Sequence, residues 1–200
     1  MPCFLKILPT RFDVRKHPII MYQTSCTSPL GTIILISHLG KLLYCNWDSS
    51  DCCTKLNKIR RYCSQNSYTG ETYFPSLEPM RSDIDVIQAT IRQLVEYFSG
   101  LRKDFNLPIE LIGSDFQKTV WKNLALIPYG TTITYKELAK KCKKEKAHRA
   151  IAAACGANPL SIILPCHRVI SASRGAGGYT GGIDKKLWLL SFEKPKDIDS

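Results

Sequence analysis

The chain has 200 residues, of which 44% are hydrophobic and 22% charged, so it can bury the core of one or two small domains. It contains no apolar run of the roughly 18 residues that a membrane span needs, and its first residues, Met1–Lys6, lack a secretory signal. These features exclude a membrane-spanning helix and predict a protein without a membrane partner, located in the cytoplasm of a bacterium or the nucleus of a eukaryote.

The formal net charge of +11 is concentrated in the second half of the chain. Residues 101–200 carry 17 Lys and Arg against 9 Asp and Glu, whereas residues 1–100 carry 11 against 8. Much of the excess lies in residues 136–149, a lysine-rich stretch that ends at Arg149. A concentrated basic face is typical of a protein that binds a polyanion, but a solvated helix surface has the same composition.

The nine cysteines are an odd number in a chain without an export signal. Reduced thiols in a reducing compartment therefore fit better than a framework of disulfides. Cys52, Cys53 and Cys63 come nearest to a cluster, and no Cys-x-x-Cys or Cys-x-x-His pair occurs in the chain. The spacing therefore predicts no structural metal site.

The first elements of the chain are predicted to be β-strands. Residues 32–37 and 41–47 are β-rich runs separated by His38-Leu39-Gly40, which predicts a hairpin. Ser28–Gly31 predicts a turn that leads into the first of these strands.

Two helices are predicted after the hairpin. One short helix is expected around Cys53–Tyr62 within the otherwise irregular residues 49–82, and apolar residues at helical spacing predict another over Ile84–Phe98. We find no group of catalytic side chains in this half. Residues 1–105 are therefore predicted to form an α/β scaffold domain.

The second half is predicted to be mostly helical. Residues 101–113 are interpreted as a connector, after which Ser114 and Asp115 form a helix N-cap. The helix is predicted over Phe116–Ile127 and is ended by Pro128–Gly130. Its predicted apolar face comprises Phe116, Val120, Trp121, Leu124 and Ile127.

The next two helices have the outline of a helix-turn-helix. Thr134 can cap a helix over Tyr135–Cys142, and Ala147–Cys155 predicts a second helix after a short basic loop. Because the second helix is rich in alanine, its backbone can closely approach whatever it packs on. Another helix fits this surface, and so does a nucleic-acid groove, since Arg149 stands at the start of the helix.

The most informative segment follows these helices. Ser161–Leu164 is an apolar run that predicts a short buried strand, which ends at Pro165 because proline cannot donate to a strand ladder. Cys166 would then lie on the turn leaving the sheet, followed by His167 and Arg168. Neighbouring cationic groups favour the thiolate, which is the nucleophilic form of cysteine. A buried cysteine can equally be an inert small hydrophobe.

A glycine-rich loop, Ser171–Gly182, precedes the last predicted helix, Ile183–Glu193. The loop either moulds around a ligand or simply turns, and it lacks the lysine pattern of a phosphate-binding loop. Glu193 would end the helix, although an acidic residue at a helix C-terminus is unfavourable to the helix dipole. The apolar side chains predicted to face inward are Leu187, Trp188, Leu190 and Phe192.

Cys166, His167 and Glu193 can form a relay in which Glu193 orients His167 and His167 activates Cys166. Neighbouring side chains of an extended backbone point to opposite faces, so we expect a water bridge between Cys166 and His167 rather than a direct hydrogen bond. A cysteine hydrolase or acyltransferase would need an oxyanion hole, and it would leave the basic helix-turn-helix unexplained.

The string Pro165–Ile170, with Asn158-Pro159 upstream and Tyr179–Gly182 downstream, resembles the O6-alkylguanine-DNA alkyltransferases, also called methylated-DNA–protein-cysteine methyltransferases. The resemblance covers about residues 112–193 and is highly specific there, whereas the N-terminal half resembles the family weakly, through Ser28–Gly31. Further matching motifs are Phe116-x-x-x-Val120-Trp121, Pro128-x-Gly130, Tyr135-x-x-Leu138-Ala139 and Arg149-Ala150.

The resemblance implies an α/β (α+β) fold of two domains. The N-terminal domain, residues 1–105, would be a ribonuclease H-like sheet domain. The C-terminal domain, residues 112–200, would be mostly helical and would contain the helix-turn-helix, the DNA-binding surface and the alkyl-transfer site.

The resemblance also implies a DNA-repair protein that acts once, as a monomer and without a cofactor. It would flip O6-alkylguanine, or less well O4-alkylthymine, out of duplex DNA and transfer the alkyl group to its own Cys166. Glu193, His167 and a water would draw off the thiol proton, and Asn158 would tie the site turn to the helix-turn-helix. Tyr135 would help to rotate the nucleotide and bind the flipped base, and Arg149 would enter the base stack. Tyr179, Thr180 and Lys186 would line the base pocket, and Arg168 would serve local structure.

The sequence departs from the family pattern at three positions. Ala152 and Cys155 stand where the family often has Gly and Asn, and Leu43 stands where some relatives have a zinc-binding His, although His38 falls near another such position. We therefore predict no zinc. The alternative function is a non-catalytic lesion sensor or regulator that binds DNA through the helix-turn-helix; sensors of that kind lack the acceptor cysteine.

Overall fold

A computed structural model of the chain describes residues 6–7, 21–48, 52–66, 81–172 and 178–194. The chain divides into two compact units, residues 1–112 and residues 113–200. In the described parts of both units, no helix is long and apolar enough to cross a membrane.

The N-terminal unit is built on a four-stranded antiparallel sheet. Its strands β1 (Lys6–Ile7), β2 (Tyr22–Ser28), β3 (Gly31–His38) and β4 (Lys41–Trp47) lie side by side in chain order. The predicted hairpin is confirmed as β3 and β4, joined by Leu39 and Gly40 at φ +51° and +71°, the positive values that tight hairpin turns require. The predicted turn at 28–31 is also confirmed, as the connection between β2 and β3.

Two helices accompany this sheet, α1 (Cys52–Asn66) and α2 (Arg81–Phe98). Both were predicted from the sequence, and each extends beyond its predicted bounds. Helix α2 contacts β2, β3 and β4. A core cluster of the unit consists of Ile36, Leu43, Tyr44, Leu56, Ile59 and Cys63.

Further hydrogen bonds join the β3–β4 turn to α2, and β4 to the segment that follows α2. The buried Asp83 near the start of α2 accepts a hydrogen bond from the Gly40 backbone N–H at 2.9 Å. Residues that were predicted to be a plain connector run beside β4: the Leu42 N–H donates to the Pro108 carbonyl at 2.8 Å, and the Glu110 N–H donates to the Leu42 carbonyl at 3.0 Å. This connecting segment therefore belongs to the N-terminal unit up to residue 112.

The C-terminal unit contains helices α3 (Asp115–Leu124), α4 (Tyr135–Lys141), α5 (His148–Gly156) and α6 (Ile183–Phe192). Ser114 and Thr134 cap α3 and α4 as predicted, and each takes part in a complete capping box. Helices α4 and α5 pack on each other and form the predicted helix-turn-helix pair. Two short strands, β5 (Ile133–Thr134) and β6 (Val169–Ile170), pair in parallel.

The predicted strand over Ser161–Leu164 is wrong. The segment is a buried turn, in which Ile162 has φ +72° and the Leu164 N–H donates to the Leu160 carbonyl at 2.8 Å. The cause is Asn158, whose side chain accepts from the Leu160 N–H and donates to the Leu164 carbonyl, at 3.0 and 2.7 Å. These bonds satisfy inside the turn backbone groups that a strand would have paired with a neighbour.

The predicted inward face of α6 is wrong at Leu187 and Trp188, whereas the other two predicted residues, Leu190 and Phe192, are half-buried. Leu187 is 52% exposed and Trp188 is 36% exposed, whereas the buried residues of this segment are Lys186, Leu189 and Glu193. These three positions lie one above another at helical spacing, so the inner stripe carries two ionisable groups. Both groups find partners inside the unit, which allows them to replace apolar side chains.

Candidate active site

Cys166 is the first residue of a short 3-10 helix, Cys166–Arg168, so the extended backbone expected for Cys166 and His167 is wrong. Cys166 is 6% exposed. Its backbone N–H donates to the Leu164 carbonyl at 2.7 Å. The Asn158 side chain holds the same Leu164 carbonyl from another direction. Both bonds end at the Leu164 carbonyl, so the backbone that leads into the thiol is fixed, next to the C-terminal end of the helix-turn-helix.

His167 is fully buried, and its Nε2 lies 2.9 Å from Oε1 of Glu193. A carboxylate accepts hydrogen bonds, so Nε2 carries the proton and Nδ1 holds the free lone pair of the neutral ring. Nδ1 is buried without a hydrogen-bond partner among the described residues. Burial lowers the pKa of His167, although the contact with Glu193 opposes this change, so the ring is a neutral base near pH 7.

Glu193 follows the last turn of α6 and is 2% exposed. Besides His167, its carboxylate accepts from Arg168 Nε at 2.8 Å, from Arg168 Nη2 at 2.9 Å and from the Gly130 N–H at 3.3 Å. These donors explain why an acidic residue occupies a position that the helix dipole disfavours.

Two further residues of the predicted site lie in electrostatic range of Cys166. Burial lowers the pKa of Lys186, negative charge on Cys166 or Cys155 raises it, and its Nζ donates to the Val169 carbonyl at 2.6 Å. Burial raises the pKa of Tyr135 to about 12, and charge on Cys155 and Cys166 acts in the same direction. Tyr135 therefore keeps its hydroxyl proton near neutral pH.

The remaining predicted residues lie on and beside α5. Arg149 is exposed on the same helix face as Ala150, Ala153 and Gly156, so one long cation stands beside a strip of very small residues. Thr180 donates from Oγ1 to the Gly156 carbonyl at 2.7 Å and thereby ties the loop before α6 to α5. Tyr179 is half-buried in this loop, whose residues 173–177 lie outside the described part of the chain.

The structure therefore brings together Cys166, His167, Glu193, Asn158, Tyr135 and Lys186, and it places Arg149 on an exposed surface. Sequence reasoning missed Gly130 and Ile127, whose backbone groups bind the same buried network. Their only signal was the helix-ending Pro128–Gly130. The lysines at 140, 141, 143, 144 and 146 are exposed around α4 and α5. In the part of the chain that the structure describes, no three His, Cys, Asp or Glu side chains are grouped so as to hold a metal ion.

Comparison with known proteins assigns both units. Residues 21–111 match the model of the 6-O-methylguanine DNA methyltransferase, ribonuclease-like domain, and residues 115–195 match that of the 6-O-methylguanine DNA methyltransferase, DNA binding domain. The chain belongs to this family. The resemblance and the mixed α/β fold predicted from the sequence are both confirmed.

Individual relatives agree with this assignment. The methylated-DNA–protein-cysteine methyltransferase of Mycobacterium tuberculosis is 44% identical over 177 residues, which span 88% of this chain and 94% of that protein. The protein of that name from Methanosarcina barkeri is 50% identical over 103 residues, 52% of this chain and 65% of that protein. A crystal structure of Mycobacterium tuberculosis OGT in complex with DNA superposes with a TM-score of 0.65 at 35% identity, covering 85% of this chain and 91% of that one.

Proposed function

We propose that this chain repairs duplex DNA by moving the alkyl group of O6-alkylguanine, and less efficiently of O4-alkylthymine, to its own Cys166. DNA repair by alkyl transfer to a protein cysteine is the activity named for the family to which the chain belongs. The observation that carries the assignment to Cys166 is the buried contact of 2.9 Å between His167 and Glu193, since it leaves a neutral base on the residue that follows Cys166 in the chain.

The transfer is a single displacement. The Cys166 proton passes through a water to Nδ1 of His167, and the resulting imidazolium is stabilised by Glu193. The thiolate sulfur attacks the alkyl carbon, an S–C bond forms, and the C–O6 bond breaks with its electron pair going to the guanine. The guanine anion then takes up a proton from water, and the His167 imidazolium returns its proton to water. The thioether product has no route back to a thiol within the site, so each molecule acts once.

The base-binding roles rest on the groups near the thiol. Tyr135, which stays protonated, donates a hydrogen bond to the flipped base, and Lys186 supplies a positive charge in a buried place. In this proposal Tyr179 and Thr180 also bind the base, which is supported by the hydrogen bond that anchors Thr180 on α5. Asn158 connects the Cys166 turn to the end of α5.

Flipping a base costs a few kcal/mol, and a side chain that fills the vacated stack offsets part of this cost. Arg149 is suited to this role because it is exposed and long. The strip of Ala150, Ala153 and Gly156 allows the α5 backbone to approach the floor of a minor groove closely. The exposed lysines near α4 supply sequence-independent attraction to phosphates.

The N-terminal unit serves as scaffold in this proposal, and residues 113–200 hold the DNA-binding and alkyl-transfer groups. Since every proposed site residue comes from one copy of the chain, we expect a monomer. Because the proposed substrate is DNA, we expect the protein in a bacterial cytoplasm or a eukaryotic nucleus.

The proposal is tested by mass spectrometry of the intact protein and its peptides after mixing with a duplex that bears one O6-methylguanine. We expect one methyl group on the Cys166 peptide, saturating at one per protein. Cys166→Ala should bind the duplex and gain no mass, whereas the matched control Cys142→Ala, at another buried thiol of the same unit, should react like the parent. DNA binding by the parent protein without any gain in mass would instead favour the lesion sensor or regulator.

A further inference from the structure

Arg168 is 4% exposed, and all three nitrogens of its guanidinium take part in one buried hydrogen-bond network. Nε and Nη2 form two parallel bonds to the Glu193 carboxylate, at 2.8 and 2.9 Å, and Nη1 donates to the Ile127 carbonyl at 2.6 Å. The guanidinium carbon lies 5.6 Å from the centre of the Tyr129 ring. These contacts restrict the geometry of the buried guanidinium and of the carboxylate that it binds.

This grip has a consequence for His167. A carboxylate that receives two charge-assisted hydrogen bonds remains ionised and remains an acceptor. The ring nitrogen that faces it must then be the one with the proton. The orientation of Glu193 therefore decides that Nε2 is protonated and that Nδ1 offers its lone pair.

We propose that Arg168 is a positioning residue of the alkyl transfer, which holds Glu193 ionised and in place so that His167 keeps the tautomer that can accept the thiol proton. This inference rests on the proposed function of Cys166. It replaces the purely local structural role that the sequence suggested for Arg168.

The charged groups around His167 set its pKa, so a change in that pKa can distinguish a positioning role of Arg168 from a role in folding. Glu193 faces Nε2, Cys166 precedes the ring, Tyr129 lies against the Arg168 guanidinium, and Lys186 approaches from α6. Arg168 and Lys186 both lower the pKa of His167, and Glu193 raises it. Without the positive charge of Arg168, the His167–Glu193 pair binds a proton more tightly, whichever of the two residues holds it.

The experiment is a single-turnover measurement of methyl transfer from pH 4.5 to 9. The amplitude of the reaction counts the folded, active molecules, and the rate constant reports the chemistry of those molecules. In Arg168→Gln, we expect the pH midpoint below which the rate falls to rise by about one unit or more, because a contacting charge is lost. In Arg168→Lys, which keeps the charge but loses the fork, we expect a rate roughly tenfold lower at every pH with little shift of the midpoint.

The matched control is Arg102→Gln, which removes an arginine–carboxylate pair, with Glu96, from the N-terminal unit and should leave rate and midpoint unchanged. Reduced amplitude in both Arg168 variants with parental rate and midpoint would overturn the proposal and leave a structural role. If neither variant folds, the nitrogen chemical shifts of His167 in the parent decide, since a proton on Nδ1 at pH 7 contradicts the proposal. Failure of the parent to transfer methyl would instead contradict the proposed function.

Discussion

For single residues, burial of an ionisable group is tolerated where hydrogen-bond partners compensate for the loss of water. Glu193 opposes the dipole of its own helix, but four hydrogen bonds from Gly130, His167 and Arg168 outweigh that disadvantage. Lys186 is buried with a carbonyl partner at 2.6 Å. Asp83 in the N-terminal unit is the contrasting case, because its carboxyl group accepts from the Gly40 N–H while its other oxygen, Oδ2, is buried without a hydrogen-bond partner among the described residues.

Asp83 makes stability depend on pH in a direction that can be measured. Burial raises the pKa of this carboxyl, and the hydrogen bond from Gly40 only partly opposes it. The folded state therefore binds the Asp83 proton more tightly than the unfolded state, whose pKa is about 3.9. The contribution of Asp83 to stability is complete below that value and declines as pH rises through the higher folded pKa.

The comparison variant is Asp83→Asn, which keeps an acceptor for Gly40 and does not titrate. Urea unfolding at several pH values between 4 and 7 should give a parent protein whose stability, relative to the variant, decreases with rising pH. A difference that stays constant or increases over this range would contradict the raised pKa of Asp83.

At the scale of elements, α5 couples the surface to the site. Its exposed strip of Ala150, Ala153 and Gly156 faces outward, while Ile151, Ala154 and Cys155 are buried. The Trp121 indole of α3 donates to the Ala154 carbonyl at 2.8 Å and fixes the helix from within. A helix that is held rigidly and is smooth outside can approach a groove without rearranging.

A bulky side chain on this strip should separate binding from chemistry. Ala153→Leu places an isobutyl group where we propose minor-groove contact, so repair of duplex DNA should slow by roughly tenfold or more. Reaction with free O6-benzylguanine should be unchanged, because that substrate needs no groove. Stability should hold, since leucine is a good helix former at an exposed position.

The control for this variant is Gln88→Leu, on the exposed side of α2 in the N-terminal unit. It should repair duplex DNA at the parental rate. Equal slowing of Ala153→Leu on the duplex and on the free base would argue against groove contact by α5.

The elements that the sequence predicted correctly are those with local causes. Ser114 and Thr134 cap the helices that directly follow them, and Leu39-Gly40 closes a hairpin between adjacent strands. The turn at 161–164 was mistaken for a strand because an apolar run suits either structure. Only the Asn158 side chain, which replaces a strand neighbour, decides between the two.

In the candidate site, too, the residues that could be predicted are those identified by a local motif, and the missed interactions are those between distant residues. Cys166 and His167 are adjacent, so a local motif and its resemblance to a family identify them. The fork between Arg168 and Glu193 joins residues 25 positions apart, and periodicity gives no hint of it. The inner face of α6 was mistaken for the same reason, because Lys186 and Glu193 acquire their partners only in the folded unit.

For the molecule as a whole, the net charge of +11 attracts the protein to any DNA and so helps it to find lesions, if the proposed substrate is correct. Each lysine that contacts a phosphate releases about one counterion, so affinity for undamaged duplex should fall steeply with salt. Lys140→Ala combined with Lys144→Ala should lower the slope of log affinity against log salt by up to about two.

The control is Lys58→Ala, which removes an exposed positive charge from α1 of the N-terminal unit. It should leave the slope nearly unchanged. A double variant with the parental slope would place the phosphate contacts elsewhere on the surface.

The Glu193 carboxylate joins the segment after α3, the 3-10 helix and the end of α6. An aspartate there would be one methylene too short to reach all of these donors. A glutamine would turn its own NH2 donor toward neighbours that are themselves donors. One side chain therefore holds the fold together and, in the proposed function, also serves the reaction. We therefore expect few substitutions to be tolerated at position 193, whereas outward-facing positions of α6, such as Leu187, should accept many.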